Sequence, residues 1–261
     1  MEIAVCVKRV PASMEDIELT EDGEISDKFL TYSLNEYDGY ALEEAVQIKE
    51  ELGGNVRAIT VDSEEADEIL KLCIARGADE GIRISNENLE EIDTHTKAKI
   101  ISNVLKELDP DLIFTGLTSE DENHGQLGVE VAEILGRAYA SGVEKLNLKD
   151  EKAEVVRSLE AGLKEELSLP LPAVLTLQTG INEPRYASIM ARRRVDEDKI
   201  SVKNLSDLGL DEEEVKKAWP FTKGKRLYRA PTPEMAEIFE GDPEEISEEL
   251  SKVLSERGLV S

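Results

Sequence analysis

The residues best suited to chemistry in this sequence lie in one segment, Thr115-Gly116-Leu117-Thr118-Ser119-Glu120-Asp121-Glu122-Asn123-His124-Gly125-Gln126-Leu127-Gly128. It follows the apolar run Leu112–Thr115 and opens a helical pattern at Val129–Leu135. A glycine-bearing turn between a strand and a helix suits phosphate. Gly125 and Gly128 let the backbone come close to a ligand, and the helix start offers free N–H groups at the positive end of its dipole. Thr118 and Gln126 can add side-chain hydrogen bonds. On the glycine spacing alone, an ordinary capped loop is the better reading. The acids Glu120, Asp121 and Glu122 oppose phosphate, because a carboxylate 4 Å away costs roughly 1 kcal/mol in water and more where solvent is excluded. At most one of them is therefore expected to face the pocket, toward a ribose hydroxyl, with the others turned outward or capping N–H groups. His124 lies within reach of a ligand, but a lone histidine is a weak basis for catalysis.

Two other strand ends, Cys6-Val7-Lys8 and Val61-Asp62-Ser63, are expected to face the same crevice. Asn35-Glu36-Tyr37-Asp38 opens the first helix. Asn35 fits an N-cap and Asp38 a first turn, and both fit ligand contact as well. The sequence has no G-x-x-x-x-G-K-[ST], no G-x-G-x-x-G after the first strand and no G-x-S-x-G elbow. His95 and His124 are not matched by cysteines at metal-ligand spacing, so no metal site and no catalytic set are expected. Arg192-Arg193-Arg194 reads as a solvated turn or as a docking spot for an acidic partner.

These groups must be positioned by the elements around them. Ile3–Val7, Val56–Val61, Ile82–Ile84 and Leu112–Thr115 read as buried strands. Tyr37–Leu52 carries a helical stripe (Ala41, Leu42, Ala45, Val46, Ile48) and stops at Gly53-Gly54. A second helix follows Asp62-Ser63 and ends at Gly77; a third runs from Asp93-Thr94 to before Pro110. This alternation predicts a doubly wound, mostly parallel sheet with helices on both faces. Val143–Leu148, Ala153–Ser158, Leu163–Ser168 and Ala173–Leu177 are expected to finish it with mixed or antiparallel strands. The division expected is residues 1–200 as an α/β nucleotide-binding domain and 201–261 as a C-terminal arm. In the arm, 205–218 reads as a short helix or linker, 219–233 as irregular, and 234–239 and 243–257 as acidic helices. So little apolar surface suggests an arm lying on another subunit.

The 261 residues include 31 basic and 58 acidic ones, for a net charge of −27. Such a surface repels nucleic acid and anionic lipid at long range. High-salt adaptation would explain the acidity, but 18 of the basic residues are lysine, which weighs against an extreme form. No apolar run has membrane length, so no membrane insertion is expected. Cys6 and Cys73 sit in apolar patterns and read as small core residues of a cytoplasmic protein.

Taken together, these residues resemble the β subunit of electron transfer flavoproteins along nearly the whole chain. The resemblance is carried by Val5-Cys6-Val7-Lys8-Arg9-Val10, by Asn35-Glu36-Tyr37-Asp38 with Ala41–Ala45, and by Ala75-Arg76-Gly77-Ala78-Asp79. Its strongest stretch runs Arg157, Glu160, Gly162, Glu165, Leu167 and Pro172–Thr176, then Asn182-Glu183-Pro184-Arg185-Tyr186. The resemblance implies an adenine-nucleotide alpha-hydrolase-like form of the α/β fold, and a partner α subunit that binds the electron-carrying FAD. It also implies an adenine nucleotide in this chain: AMP in simple carriers, a second FAD in bifurcating ones. The positions matching the family's nucleotide contacts are Asn35, Tyr37, Ala66, Gly116, Asp121, Gln126 and Gly128, with the backbone at Cys6 and Val7. Asp38 and Gly125 lean toward bifurcating members, and Tyr37 is implied to lie near the edge of the partner's flavin.

The chain departs from the family at Val61-Asp62, where Gly-Pro is usual, and at Asn123, His124 and Leu127 in the loop. AMP and FAD both stay open as a result. Ala187–Met190 looks shortened where the family docks on flavin dehydrogenases. The expected function is a non-enzymatic subunit of an electron carrier. A stand-alone adenine-nucleotide sensor of the universal-stress-protein kind and a hydrolase acting on ATP are the other readings. The arm weighs against the first of these two, and the missing phosphate-loop lysine against the second.

Overall fold

The computed structural model describes residues 1–13, 17–20, 25–26, 30–85, 92–218, 228 and 238–260. It divides into two compact units, Met1–Arg226 and Leu227–Ser261. The first unit begins with β1 (Glu2–Cys6), then the short strands β2 (Arg9–Pro11), β3 (Glu18–Leu19), β4 (Ile25–Ser26) and β5 (Tyr32–Leu34). Helix α1 (Glu36–Leu52) follows and stops at Gly53, whose φ of 75° suits a residue without a side chain. Next come β6 (Asn55–Asp62), a single 3₁₀ turn at Glu64–Ala66, α2 (Asp67–Arg76), β7 (Glu80–Ser85) and α3 (Thr94–Leu108). Asp93 caps α3 by accepting from the Thr96 N–H at 2.9 Å. The chain then forms β8 (Leu112–Gly116), α4 (Leu127–Leu135), β9 (Ala138–Lys149), β10 (Lys152–Ser158), β11 (Lys164–Pro170) and β12 (Ala173–Leu177).

The main sheet has nine strands in the order β11-β10-β9-β12-β8-β1-β6-β7-β13, the last being Ile200–Lys203. All its pairings are parallel except those of the β9–β10–β11 hairpins. The central parallel strands β12, β8, β1, β6 and β7 are largely apolar and buried on both faces, as such a sheet requires. One core layer packs Ile3, Val5 and Phe114 against Leu42 and Val46 of α1 and Leu70 and Cys73 of α2. The opposite layer packs Ala4, Cys6, Ile59 and Ile84 against Ile101 and Val104 of α3 and Val131 of α4. The two cysteines are therefore on opposite faces, buried and free. Burial pushes both thiols up to about 12, so neither ionises readily.

Strand order decides where a ligand can enter. From β1 the chain winds through β6 to β7 on one side, then returns through α3 to β8 on the other. The crevice at the carboxyl ends of β1 and β8 is the point where the winding reverses, the usual ligand position in such sheets.

Ile200–Lys203 pairs with β7, and Leu205, Leu208 and Val215 are buried in the α3 layer. The stretch just after residue 200 therefore belongs to the sheet's unit, whereas the sequence places the start of the arm at 201. Short α5 (Ile189–Arg193) and α6 (Glu212–Ala218) complete that unit. In the second unit α7 (Pro243–Glu256) is capped by Asp242, which accepts from the Glu244 and Glu245 N–H groups at 3.0 and 3.1 Å. None of its residues is buried. Most of 219–237, including most of the helix expected at 234–239, lies outside the described residues. Among the described residues no helix is long and apolar enough to cross a membrane.

Candidate functional site

A cleft of about 300 Å³ opens at the switch point. Its floor is made by Cys6 and Val7 after β1, Thr60–Asp62 at the end of β6, and Thr115 and Gly116 at the end of β8. Asp38, in the first turn of α1, joins the two strands flanking the switch. Its carboxylate accepts the Lys8 N–H at 2.8 Å and the Gly116 N–H at 3.0 Å. Burial pushes this carboxyl up to about 7, against the donors from Asn35, Lys8 and Gly116 that favour its anion. Asn35 stands at the N-cap of α1 but makes no side-chain cap bond. It reaches across the cleft instead, donating to the Thr118 carbonyl at 2.9 Å and accepting the Glu120 N–H at 3.2 Å. A side chain at Gly116 would meet Asp38 Oδ1 at 2.5 Å and Tyr37 Cβ at 2.6 Å, so only glycine fits the floor there.

The rim carries paired charges. Lys8 Nζ lies 2.7 Å from Asp121 and 3.2 Å from Glu122, and Lys97 Nζ of α3 lies 3.0 Å from Glu122. Burial pushes the Asp121 carboxyl up, but Lys8 and Ser119 outweigh it and hold it below the ordinary carboxylate range. Glu122 is held low in the same way, its burial outweighed by Lys97 and Lys8. Two acids of the loop thus line the cleft, not the single one expected from mutual repulsion. The reason is that the two lysines, distant in sequence, neutralise them. On the β6 side Arg9 donates to both oxygens of Asp62 at 3.2 Å and stacks on the Tyr32 ring, 4.3 Å from its centroid.

The far end of the cleft suits an anion. Gly125, with φ of 61°, turns the chain into α4, whose N-cap Gln126 makes no side-chain cap bond. The first-turn N–H groups of α4 have no partners within the helix, and they carry its positive dipole end. His124 Nδ1 sits 3.1 Å from Thr94 Oγ1.

Of the residues singled out in the sequence, Cys6, Val7, Asn35, Asp38, Gly116, Thr118, Asp121, His124, Gly125, Gln126 and Leu127 line the cleft. Tyr37, Ala66, Asn123 and Gly128 are not among its lining. Tyr37 packs its Cβ beneath Gly116. Ala66 is fully buried at the 3₁₀ turn. Asn123 accepts from Thr118 Oγ1 at 2.9 Å. At Gly128 a Cβ would meet Thr176 Cγ2 at 2.3 Å, so the glycine serves close packing of α4 on the sheet. The lining also includes Arg9, Tyr32, Thr94, Lys97 and Ile101, which sequence reasoning did not bring to the site. Only the helix start at Asp93-Thr94 is visible in the sequence at this end of α3. His95 pairs with Glu130 of α4 at 3.3 Å, a helix-to-helix contact outside the lining. Arg192 and Arg193 line a separate groove with Glu68, Lys71 and Glu197.

The fold and site define a doubly wound α/β protein with a polar, charge-paired cleft at its switch point. The family model described as "Electron transfer flavoprotein domain" matches residues 25–205. The chain is 36% identical over 259 residues to the electron transfer flavoprotein subunit beta of Methylophilus methylotrophus, covering 97% of each chain. It is 33% identical over 261 residues to the subunit of the same name from Bacillus subtilis, covering 100% of each. Similarity extends to the caffeyl-CoA reductase–Etf complex subunit CarD of Acetobacterium woodii, 33% identical over 215 residues and 82% of each chain. The chain belongs to the electron transfer flavoprotein β-subunit family.

Proposed function

We propose that this chain is one half of a heterodimer with a larger, FAD-binding α subunit, and that its own cleft holds an adenine nucleotide, AMP or a second FAD. The heterodimer passes electrons from flavin dehydrogenases to an acceptor. FAD bound by the assembly supplies the redox chemistry. The residues of this chain bind and orient. The observation carrying this reading is the cleft itself. Its donor set fits a phosphorylated nucleoside: the α4 amino end for phosphate, the Thr118 and Thr94 hydroxyls, and Asp121 held ionised as an acceptor for a ribose hydroxyl. Residues 241–261, with α7 wholly unburied, supply the arm that lies on the partner.

Co-expression with its α subunit is expected to give a complex that elutes as one-to-one heterodimer and absorbs in the visible as bound flavin. A chain that elutes alone, carries nucleotide and ignores the α subunit would support the stand-alone sensor instead.

A further inference from the structure

We infer that Glu122 determines nucleotide specificity: by occupying Lys97 and sharing Lys8, it keeps nucleoside di- and triphosphates out of the cleft. This rests on the reading of the cleft as an adenine-nucleotide site. Among the described residues three cations line the cleft, Lys8, Arg9 and Lys97, facing the carboxyls of Asp38, Asp62, Asp121 and Glu122. Each of these three is paired. Arg9 is held by Asp62 at 3.2 Å, Lys8 by Asp121 at 2.7 Å, and Lys97 by Glu122 at 3.0 Å.

A ligand with one phosphoryl group, or one whose phosphates are both esterified, can place its charge at the α4 amino end and leave these pairs intact. A terminal polyphosphate adds charges that must go toward the rim. There it meets carboxylates before it meets a free ammonium, and like charges at such range repel strongly once solvent is partly excluded. Glu122 is the acid best placed to control this. It contacts two lysines from two elements, Lys8 at 3.2 Å and Lys97 at 3.0 Å, and its side chain is 36% exposed, so changing it disturbs no core packing. Asp121, by contrast, also receives the Glu122 N–H at 2.8 Å and shapes the loop.

The test titrates the full chain, freed of copurifying nucleotide, with AMP, ADP and ATP in magnesium-free buffer. The quantity read is the ratio of AMP to ATP affinity, which partial loss of active protein does not change. The wild type is expected to favour AMP over ATP by at least tenfold. Glu122→Gln frees Lys97 and is expected to shrink that preference by tenfold or more. Glu120→Gln removes the same charge from an exposed position of the same loop outside the lining and is expected to leave the ratio within twofold. The inference is overturned if Glu122→Gln leaves the ratio unchanged, if Glu120→Gln shifts it as much, or if the wild type binds ATP as tightly as AMP. In those cases AMP binding still leaves the proposed function standing. A wild type that binds none of the three overturns this inference, and one that binds neither these nor FAD overturns both.

Discussion

Replacing Arg185 with alanine is expected to destabilise the sheet-bearing unit by about 3–5 kcal/mol, the usual cost of stranding a buried charge. Glu43 of α1 is only 5% exposed, and Arg185 serves it three times, through its backbone N–H at 3.0 Å, Nε at 2.9 Å and Nη2 at 3.0 Å. Alanine keeps the backbone N–H but loses both guanidinium donors, and the neutral Gln47 amide, at 2.9 Å, does not replace the lost charge. The pair with Glu50 is exposed and adds little. A shift of roughly 10 °C in the unfolding midpoint should accompany the loss in a unit of this size. Burial pushes the Glu43 carboxyl up, but the donors from Arg185 and Gln47 outweigh it and hold it below the ordinary range. A carboxyl held low in the folded state stabilises above its unfolded value and loses that contribution as pH falls through its folded value. The gap between wild type and Arg185→Ala should therefore be full at neutral pH and narrow below the ordinary carboxylate range. Urea titrations across pH measure this. A neutral-pH difference under about 1 kcal/mol would show that Glu43 is satisfied without Arg185.

Asp38→Ala is the second large effect. It removes the acceptor of two N–H groups in the cleft floor, Lys8 at 2.8 Å and Gly116 at 3.0 Å. An unsatisfied buried donor costs about 1–3 kcal/mol, so a loss of about 2–4 kcal/mol is expected after partial relaxation. The cleft should suffer more than the fold, because this carboxylate ties β1 to β8 where the ligand would sit. Loss of bound nucleotide and faster exchange of the Lys8 and Gly116 amides are expected together. Asp38→Asn keeps one acceptor and should fall between alanine and wild type. Unchanged amide protection in Asp38→Ala would contradict the role of Asp38 as a tie.

Much of this architecture was legible in the residues. The strands Val56–Val61 and Leu112–Thr115 are mostly apolar, Arg57 apart, because a parallel sheet buries both faces, and Ala173–Leu177 matches its strand end to end. Less legible were elements with little burial. Ile200–Lys203 is an edge strand with Ser201 and Val202 exposed, and the two-residue strands after Pro11 carry no period. β9 begins at Ala138, ahead of the apolar run, because Gly142 and a shift in register against β12 interrupt its pattern. In the cleft, residues next to strand ends were readable from local spacing. Lys97, Arg9 and Tyr32 were not, since only the tertiary fold brings α3 and the β2–β5 pair to the loop at 119–122. The same absence of long-range partners led to the expectation that only one acid could face inward. Repulsion is local in sequence, and the lysines that relieve it are not.

The measurement that bears most directly on this account is the nucleotide content of the chain purified together with its α subunit. Acid denaturation followed by chromatography of the released ligands should yield one adenine nucleotide per chain, AMP or a second FAD, beyond the FAD of the α subunit. No nucleotide beyond that FAD, or a bound ATP that turns over, would contradict it.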